Sequence, residues 1–401
     1  MKVLMLGWEL PPYNSGGLGV ACYQLCKALA KTDVDIEFVL PYFHDKEVSF
    51  MKVTAAQPQD VAIIQKSGIA YDSQRYTFTD GHEEDLSIYQ QQGLYELSVA
   101  QIAKYGQYDI IHAHDWLTLR AAMRAKQVTN APLIVHMHSI ERDRAGGQSG
   151  NPLVREIEYM GLMMADKIIA VSEHTKRCIV EDYDIPADKI DVVHNSIDIE
   201  TIEPLDESNS FAYLTAMKQK GYRVVVSIGR LTIQKGLTNL LYAAKEVVER
   251  QPKTIFLIVG SGEQYTELIE LAAELGISQN VIFTGFLRGK NWRDAYAIGD
   301  LFVMPSVSEP FGLTPLEAIS YGTPTLISKQ SGVSEVIRNC LKVDFWDVAE
   351  IANKITGVVQ NDALRDELHA NSFQEFIKLS WDDSAQKLHN IYKNHVSGVT
   401  V

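Results

Sequence analysis

Two basic side chains stand in one short loop of this sequence, where they could bind a phosphate group. Arg230 and Lys235 occur in SIGRLTIQKG (227–236), which follows an apolar run and precedes a helix-like segment. An arginine offers a planar pair of donors to a phosphate, and a lysine offers a mobile point charge. On local grounds alone, the alternative is a pair of solvated loop charges.

Two glutamates flank the start of a predicted helix in SEPFGLTPLEA (308–318). Thr314 fits the N-cap of that helix, and Pro315 fits its first helical position. The free N–H groups at the helix N-terminus would then point toward an anion such as a diphosphate. Glu309 lies in the preceding loop and caps nothing. Glu317 lies in the first turn, where the Thr-x-x-Glu spacing also fits a capping box, so a structural role and a ligand role are both open.

A glycine-rich segment, NSGGLGV (14–20), lies between the first apolar run and the first helix-like segment. Gly17, Gly19 and Cys22 nearly give the GxGxxG pattern of dinucleotide-binding proteins, but the third position is a cysteine and no acidic residue ends the second strand. The segment therefore predicts a loop whose amides can approach an anion, or only a tight turn.

Short apolar runs alternate with helix-like segments along the chain, which predicts α/β domains with parallel sheets covered by helices on both faces. The pattern begins at KVLMLG (2–7) and starts again at YRVVVSIG (222–229). We therefore expect two similar doubly wound domains, residues 1–199 and residues 200–380. A polar stretch at 44–92 interrupts the first domain and is interpreted as an insertion or an irregular hairpin.

The length and composition restrict the protein class further. With 401 residues the chain is longer than one hydrophobic core usually organises. A net charge of −14 disfavours a protein that binds nucleic acids or anionic membranes. Without a signal peptide or an apolar run of about eighteen residues, we expect a cytoplasmic protein with no transmembrane segment. Cys22 and Cys26, one helical turn apart, lack a second pair or a histidine cluster and are interpreted as buried thiols.

The motifs in their order resemble the retaining group 1 (family 4) glycosyltransferases, which include bacterial and archaeal glycogen and starch synthases. The resemblance spans almost the whole chain. It is carried by GGLG, IHAHDW, HMHS, IAVSEHT, HNSID, SIGRLTIQKG and EPFGLTPLEAISYGTP, the last with its Glu-x7-Glu pair. It implies the GT-B architecture, in which two Rossmann-like domains, one for the acceptor and one for the nucleotide sugar, face each other across a cleft. It also implies that a final helix, about 381–401, crosses back to the first domain.

The resemblance implies roles for individual residues. Arg230 and Lys235 would bind the donor diphosphate, Glu317 the nucleotide ribose, and Glu309 would face the donor sugar. The other donor residues would be Gly17 at the phosphates, His138 near the sugar, Leu287 at the nucleobase, and Phe311, Gly312 and Leu313 beside the sugar. Of all these, His138, Arg230, Lys235 and Glu309 are the expected catalytic residues. His114 and Asp115 would line the acceptor side or make only structural hydrogen bonds, and His138 has the same structural alternative, as one of several histidines at strand ends.

The activity implied is transfer of a hexose, glucose, from a UDP-, ADP- or GDP-sugar to a glycan acceptor such as glycogen, with retained configuration. No metal ion or other cofactor is expected, because Arg230, Lys235 and the helix amides would neutralise the diphosphate. Ser15 stands where synthases that use ADP-glucose carry a lysine, which leaves the nucleobase open. The alternatives are transfer to a small acceptor of the sucrose or trehalose type or to a lipid precursor, a UDP-sugar 2-epimerase, and a silent glycan-binding protein. The complete Glu-x7-Glu pair disfavours the epimerase, and the presence of Lys235 and Glu309 disfavours the silent binding protein. The sequence makes no prediction of the oligomeric state.

Overall fold

The computed structural model of the chain describes residues 1–13, 16–58, 61–65 and 74–396. Ser15, part of the 44–92 stretch and the end of the predicted final helix, 397–401, lie outside the described residues. The chain divides into two compact units. The first contains Met1–Glu141, Asn151–Ser196 and the chain from Trp381, and the second contains Arg142–Gly150 and Ile197–Ser380.

The first unit is built on a seven-stranded parallel sheet. The strands of this unit, in chain order, are β1 (Lys2–Leu6), β2 (Asp35–Leu40), β3 (Lys52–Ala55), β4 (Val61–Gln65), β5 (Gln74–Phe78), β6 (Glu83–Leu86), β7 (Ile110–His114), β8 (Leu133–Met137), β9 (Lys167–Ala170) and β10 (Ile190–Val192). The parallel sheet has the order β10-β9-β8-β7-β1-β2-β3, and β4, β5 and β6 form a separate antiparallel sheet. The helices up to this point are α1 (Gly17–Leu29), α2 (Ile88–Tyr105), α3 (Trp116–Thr129), α4 (Glu141–Arg144), α5 (Pro152–Met164) and α6 (Glu173–Tyr183).

The second unit is built on a six-stranded parallel sheet of order β13-β12-β11-β14-β15-β16. Its strands are β11 (Arg223–Ile228), β12 (Thr254–Val259), β13 (Val281–Gly285), β14 (Leu301–Met304), β15 (Thr325–Ser328) and β16 (Leu341–Val343). The remaining helices are α7 (Ala212–Gln219), α8 (Leu237–Arg250), α9 (Tyr265–Glu274), α10 (Gly289–Ala297), α11 (Thr314–Ser320), α12 (Val348–Gln360), α13 (Asp362–Phe376) and α14 (Trp381–Val396).

The strands of the first sheet are buried on both faces, which explains their continuous apolar sequences. Leu4 and Leu6 contribute to one core together with residues of α2, α3, α5 and α6. Val3 and Met5, which alternate with them on β1, contribute to the other core with residues of α1 and α14. The helix α14 thus completes the core of the first unit, and Ser384 Oγ on it donates a hydrogen bond to the His194 carbonyl at 2.7 Å.

The predicted fold class of two doubly wound parallel α/β domains is confirmed. The 44–92 stretch is more regular than an irregular hairpin, because β3 joins the edge of the parallel sheet beside β2 and α2 begins within the stretch. Within the described ranges, no helix has both the length and the apolar character needed to cross a bilayer.

Candidate active site

The two loops that carry the predicted charged residues of the second unit lie side by side. They follow β11 and β14, which are neighbouring parallel strands, and the carboxyl ends of such strands share one edge of the sheet. Lys235 Nζ, from the first loop, donates to Glu309 Oε2, from the second, at 2.5 Å. Ser306 Oγ donates to the same carboxylate oxygen at 3.1 Å. The structure therefore brings together a cation and a carboxylate that are 74 positions apart in sequence.

A glycine permits this close approach of the two loops. Gly236 follows Lys235 with φ of +63°, and a Cβ atom there would lie 2.1 Å from the carbonyl oxygen of Pro305. Any other residue would both strain this left-handed backbone and push the loops apart. The side chains of Lys235 and Glu309 are only 19% and 10% exposed, so the ion pair is more protected from water than a typical surface pair.

Arg230 lies at the rim of the same region with an exposed side chain. Over the described part of the chain, its guanidinium makes no hydrogen bond or ion pair, so it is available to a ligand. A small pocket beside it is lined by Gly229, Lys235, Met304 and other residues of the two loops. The two predicted cations thus lie close together at the carboxyl edge of the second sheet, and their binding of a phosphate stays a prediction.

The backbone of Glu309 is fixed by a parallel bridge to Ser331. Its N–H donates to the Gln330 carbonyl at 2.9 Å, and its carbonyl accepts from the Gly332 N–H at 3.0 Å. Gly312 lies against it with φ of +96°, where a Cβ atom would be 3.0 Å from Glu309 Cγ. These contacts leave the Glu309 side chain little freedom.

The other predicted donor residues of this unit lie along the same edge of the sheet. Phe311 is buried and its carbonyl accepts from the Val333 N–H at 2.7 Å, and Leu313 immediately precedes α11. Leu287 is partly buried in the loop after β13. This loop is linked to the loop after β12 by a hydrogen bond from the Gly260 N–H to the Gly285 carbonyl.

Glu317 does not close a capping box. The helix α11 begins at Thr314 with Leu313 as its N-cap, and no side chain caps it, so the assignment of Thr314 as N-cap is wrong. The Glu317 carboxylate is instead bonded to the hydroxyl of Tyr296, on α10, at 2.6 Å. Burial raises the pKa of Glu317 to about 7, although the hydrogen bond from Tyr296 lowers it. The capping alternative is therefore excluded, and the ribose role stays a prediction.

Aromatic rings hold Tyr296 in place. Tyr296 is fully buried, stacks on Tyr321 at a centroid distance of 6.1 Å, and meets the edge of Trp292 at 5.1 Å. Its pKa is raised well above the ordinary value, first by burial and then by the charge of Glu317. Sequence reasoning missed Tyr296, because a tyrosine on an amphipathic helix has no local feature that indicates a carboxylate partner.

In the first unit, Asp115 makes structural hydrogen bonds. Its carboxylate accepts from the N–H groups of His138, at 2.6 Å, and Ser139, at 3.2 Å. Its backbone has φ of +57° and ψ of 172°. Residues other than glycine rarely adopt this conformation, which costs them roughly 1–3 kcal/mol. The structural alternative for Asp115 is thus observed: it holds the turn that contains His138.

Four histidines lie beside this turn with stacked or tilted rings. His114 Nδ1 lies 3.0 Å from His138 Nε2, and the rings of His136 and His138 are 4.4 Å apart. Burial lowers the pKa of His138 and His112 to about 3, and lowers those of His114 and His136 well below the usual range. All four imidazoles are therefore neutral at neutral pH, and His138, at 9%, is the most exposed.

The expectation that no histidine cluster lies near Cys22 is wrong. Its sulfur is within 4.8 Å of ligand nitrogens of His114 and His138, because α1 covers the face of the sheet that carries these histidines. Cys22 is nonetheless buried and free, and burial raises the pKa of its thiol well above the ordinary value, as expected of a buried thiol. The prediction that Cys22 and Cys26 are buried thiols on an apolar face of α1 is confirmed.

Gly17 is the first residue of α1 and is exposed. Near it, the buried carboxylate of Glu9 accepts a hydrogen bond from the Gly19 N–H at 3.2 Å. Sequence reasoning missed Glu9, whose only signal was an acidic residue directly after the first apolar strand. One amide at this helix start is therefore bonded to protein, and approach of Gly17 to a phosphate stays a prediction.

Comparison with known families covers most of the chain. Residues 216–375 match the family described as glycosyl transferases group 1, and residues 15–201 match glycosyltransferase family 4. An uncharacterized glycosyltransferase of Methanocaldococcus jannaschii is 27% identical over 408 residues, which is 98% of each chain. The glycogen synthase of Mycobacterium tuberculosis is 27% identical over 379 residues, 90% of this chain and 87% of that one.

Solved structures are similar over the whole length. Sucrose-phosphate synthase from Thermosynechococcus elongatus has a TM-score of 0.76 at 19% identity and covers 99% of both chains. Anabaena HepE in complex with UDP and glucose has a TM-score of 0.71 at 19% identity, and covers 98% of this chain and 100% of that one. At these identities the likeness establishes the fold alone, and it confirms the predicted GT-B class.

Proposed function

We propose that this chain, which belongs to the group 1 glycosyltransferases, transfers glucose from a nucleoside-diphosphate sugar to a glycan acceptor and so extends an α-glucan. The transfer retains the configuration of the anomeric carbon and needs no metal ion. The observation that carries this proposal is the Lys235–Glu309 pair at the carboxyl edge of the second sheet, beside the exposed Arg230. It provides cations for a diphosphate next to a carboxylate for a positively charged sugar centre.

The residues of the second unit would act mainly on the leaving group. Negative charge develops on the diphosphate as the bond from the anomeric carbon to its oxygen breaks, and Arg230 and Lys235 would stabilise that charge. Lys235 would then exchange part of its contact with Glu309 for a phosphate oxygen. Glu317 would accept hydrogen bonds from the ribose hydroxyls, held in position by Tyr296.

Glu309 would stabilise the oxocarbenium-like sugar, since its backbone and side chain are already fixed. The acceptor hydroxyl attacks the anomeric carbon from the face that the diphosphate leaves. A phosphate oxygen takes the hydroxyl proton, which completes the transfer with retention. His138, neutral and held by Asp115, would hydrogen-bond the donor sugar and not act as a cation.

The relatives support the class of donor and leave two acceptor classes. HepE was crystallised with UDP and glucose, which favours a UDP-glucose donor. A glycogen synthase among the relatives favours a glycan acceptor. The likeness to a sucrose-phosphate synthase favours the second candidate, transfer to a small sugar phosphate.

The test is a melting-temperature screen of the purified protein against UDP-, ADP- and GDP-sugars, since a donor that binds the native state raises its stability. A donor present at about a hundred times its dissociation constant adds roughly 2.7 kcal/mol. The donor found is then offered with a glycogen fragment, with a sugar phosphate, or without acceptor. The proposal expects nucleoside diphosphate release only with the glycan, and an axial product by NMR.

Each other outcome has a definite meaning. Release with the sugar phosphate alone selects the second candidate. Isomerisation of a UDP-sugar without acceptor would show a 2-epimerase instead, and an inverted product would exclude the retaining mechanism. No donor binding at all would contradict a transferase role for this chain.

A further inference from the structure

Three histidines of the first unit form a fully buried cluster on one face of the sheet. His112 and His114 are two positions apart on β7, so their side chains share a face. His136 on β8 pairs in register with His114 and lies on that same face. The three residues are at most 1% exposed, and their ring centroids lie 4.4–5.4 Å apart. We call them the three-histidine cluster.

The cluster contains buried nitrogen atoms without hydrogen-bond partners. Among the described residues, Nε2 of His112, Nε2 of His114 and both ring nitrogens of His136 have none. An unsatisfied buried polar group costs roughly 1–3 kcal/mol, and native proteins pair about 90% or more of such groups. A neutral imidazole carries one lone pair, so the three rings together can offer three lone pairs, one each, to a ligand that accepts them.

The remaining nitrogens are arranged as in metal-binding histidines, which usually bond their second nitrogen to another group. His112 Nδ1 is hydrogen-bonded to the hydroxyl of Tyr392 on α14. His114 Nδ1 is hydrogen-bonded to His138 Nε2 at 3.0 Å. Where Nδ1 is the donor in these bonds, Nε2 of each ring keeps its lone pair, so both rings can offer Nε2 to a ligand.

We propose that His112, His114 and His136 together bind one divalent transition-metal ion of the Zn²⁺ class. One ligand atom from each histidine lies within 4.8 Å of the others. Donor atoms around a tetrahedral zinc ion are about 3.4 Å apart, so the rings must turn out of their stacked arrangement as the ion binds. Imidazole ligands favour zinc, copper or nickel, and a set without carboxylates disfavours magnesium and calcium.

The ion would act on stability and not on sugar transfer. His112 and His136 have no role in the proposed reaction, and that reaction uses no metal. Binding links β7 to β8 and gives a partner to three of the four buried nitrogens, so its free energy adds to the free energy of folding. The inference is therefore independent of the proposed function, and the two can fail separately.

The test uses the full chain without a histidine tag, freed of metal by a chelator and then titrated with Zn²⁺ by calorimetry. We expect one Zn²⁺ per chain, a higher melting temperature with Zn²⁺, and visible absorption bands when Co²⁺ replaces it. Tyr392→Phe removes only the hydroxyl that orients His112 and should weaken binding about ten- to a hundredfold. His136→Gln should weaken it at least as much, and His82→Gln, at an exposed histidine outside the cluster, should leave it unchanged.

Several results would overturn the site. The wild-type chain could bind less than one equivalent of Zn²⁺, or Co²⁺ could give no bands. Wild-type affinity in a folded His136→Gln variant would also exclude it. Where that variant fails to fold, Tyr392→Phe decides, because unchanged affinity there would exclude His112 as a ligand.

Discussion

Glu317→Gln should make the protein more stable and a weaker binder of nucleotides. Among the described residues, Tyr296 alone donates a hydrogen bond to this carboxylate, and burial raises its pKa from 4.5 to about 7. The folded state therefore holds a proton that the unfolded chain releases at lower pH. Stability that is full below about pH 4.5 is lost as the pH rises, and the loss is complete above about pH 7.

The size of the effect follows from the pKa difference. For a fully buried group, this pKa difference means that folding disfavours the ionised carboxylate by roughly 3 kcal/mol of free energy. Glu317 keeps some accessible surface, so we expect roughly 1–2 kcal/mol after screening by solvent. Glutamine cannot ionise and has nearly the same shape as glutamate. Its amide oxygen can still accept a hydrogen bond from the Tyr296 hydroxyl. If Glu317 binds the ribose, the same change should cost roughly 1–3 kcal/mol of nucleotide affinity, about five- to a hundredfold.

Urea unfolding between about pH 5 and about pH 8 measures the first effect, and calorimetry with UDP and the nucleotide found in the donor screen measures the second. As the pH rises, the variant should become more stable than the wild type. Its affinity for the nucleotide should be lower than that of the wild type. Glu270→Gln, at an exposed glutamate on α9, is the matched control and should change neither. Equal pH profiles for variant and wild type would refute the burial argument, and unchanged affinity would remove Glu317 from the donor site.

Other predictions concern the same unit. Lys235→Ala should lower turnover at least about tenfold in a folded protein, since a charged hydrogen bond contributes roughly 1.5–3 kcal/mol. Lys245→Ala, at an exposed lysine on α8, is the control. Wild-type kinetics in Lys235→Ala would show that Lys235 is only a solvated loop charge. Tyr296→Phe should raise the pKa of Glu317 further and weaken nucleotide binding above neutral pH, whereas an unchanged pH profile of binding would show that Tyr296 does not position Glu317. Transfer should continue in EDTA, and activity that returns only with Mg²⁺ or Mn²⁺ would contradict the metal-independent mechanism.

The sequence predicted the parallel sheets well because their signal is local. Each buried strand is a continuous apolar run, and each run is followed by a helix-like segment, so the order of elements could be derived without knowing any contact. The strand β3 was missed for the same reason. KVTA, at Lys52–Ala55, is short and only partly buried at the sheet edge, so its sequence does not show the apolar run of a central strand.

The site was predictable where the chain itself brings residues to the sheet edge, and not where a distant partner decides. Arg230, Lys235 and Glu309 follow strands, and neighbouring parallel strands place their loops together. The spacing of Thr314 and Glu317 indicated a cap, but Tyr296, 21 residues away, provides the hydrogen bond that determines where Glu317 lies. Likewise, the register between β7 and β8 that assembles the histidines depends on pairing between strands and leaves no trace in either segment alone.

Three energetic costs in this fold fall at or beside residues of the predicted site. Glu317 is a carboxylate whose pKa burial raises, Asp115 occupies a strained backbone conformation, and Gly236 gives up helix-start capping to let Lys235 reach Glu309. Local rules are usually broken where function requires it, so three such positions at or beside predicted site residues support the proposed site. It follows that the stabilising substitution Glu317→Gln should lower transfer, because it removes the carboxylate whose burial the fold maintains.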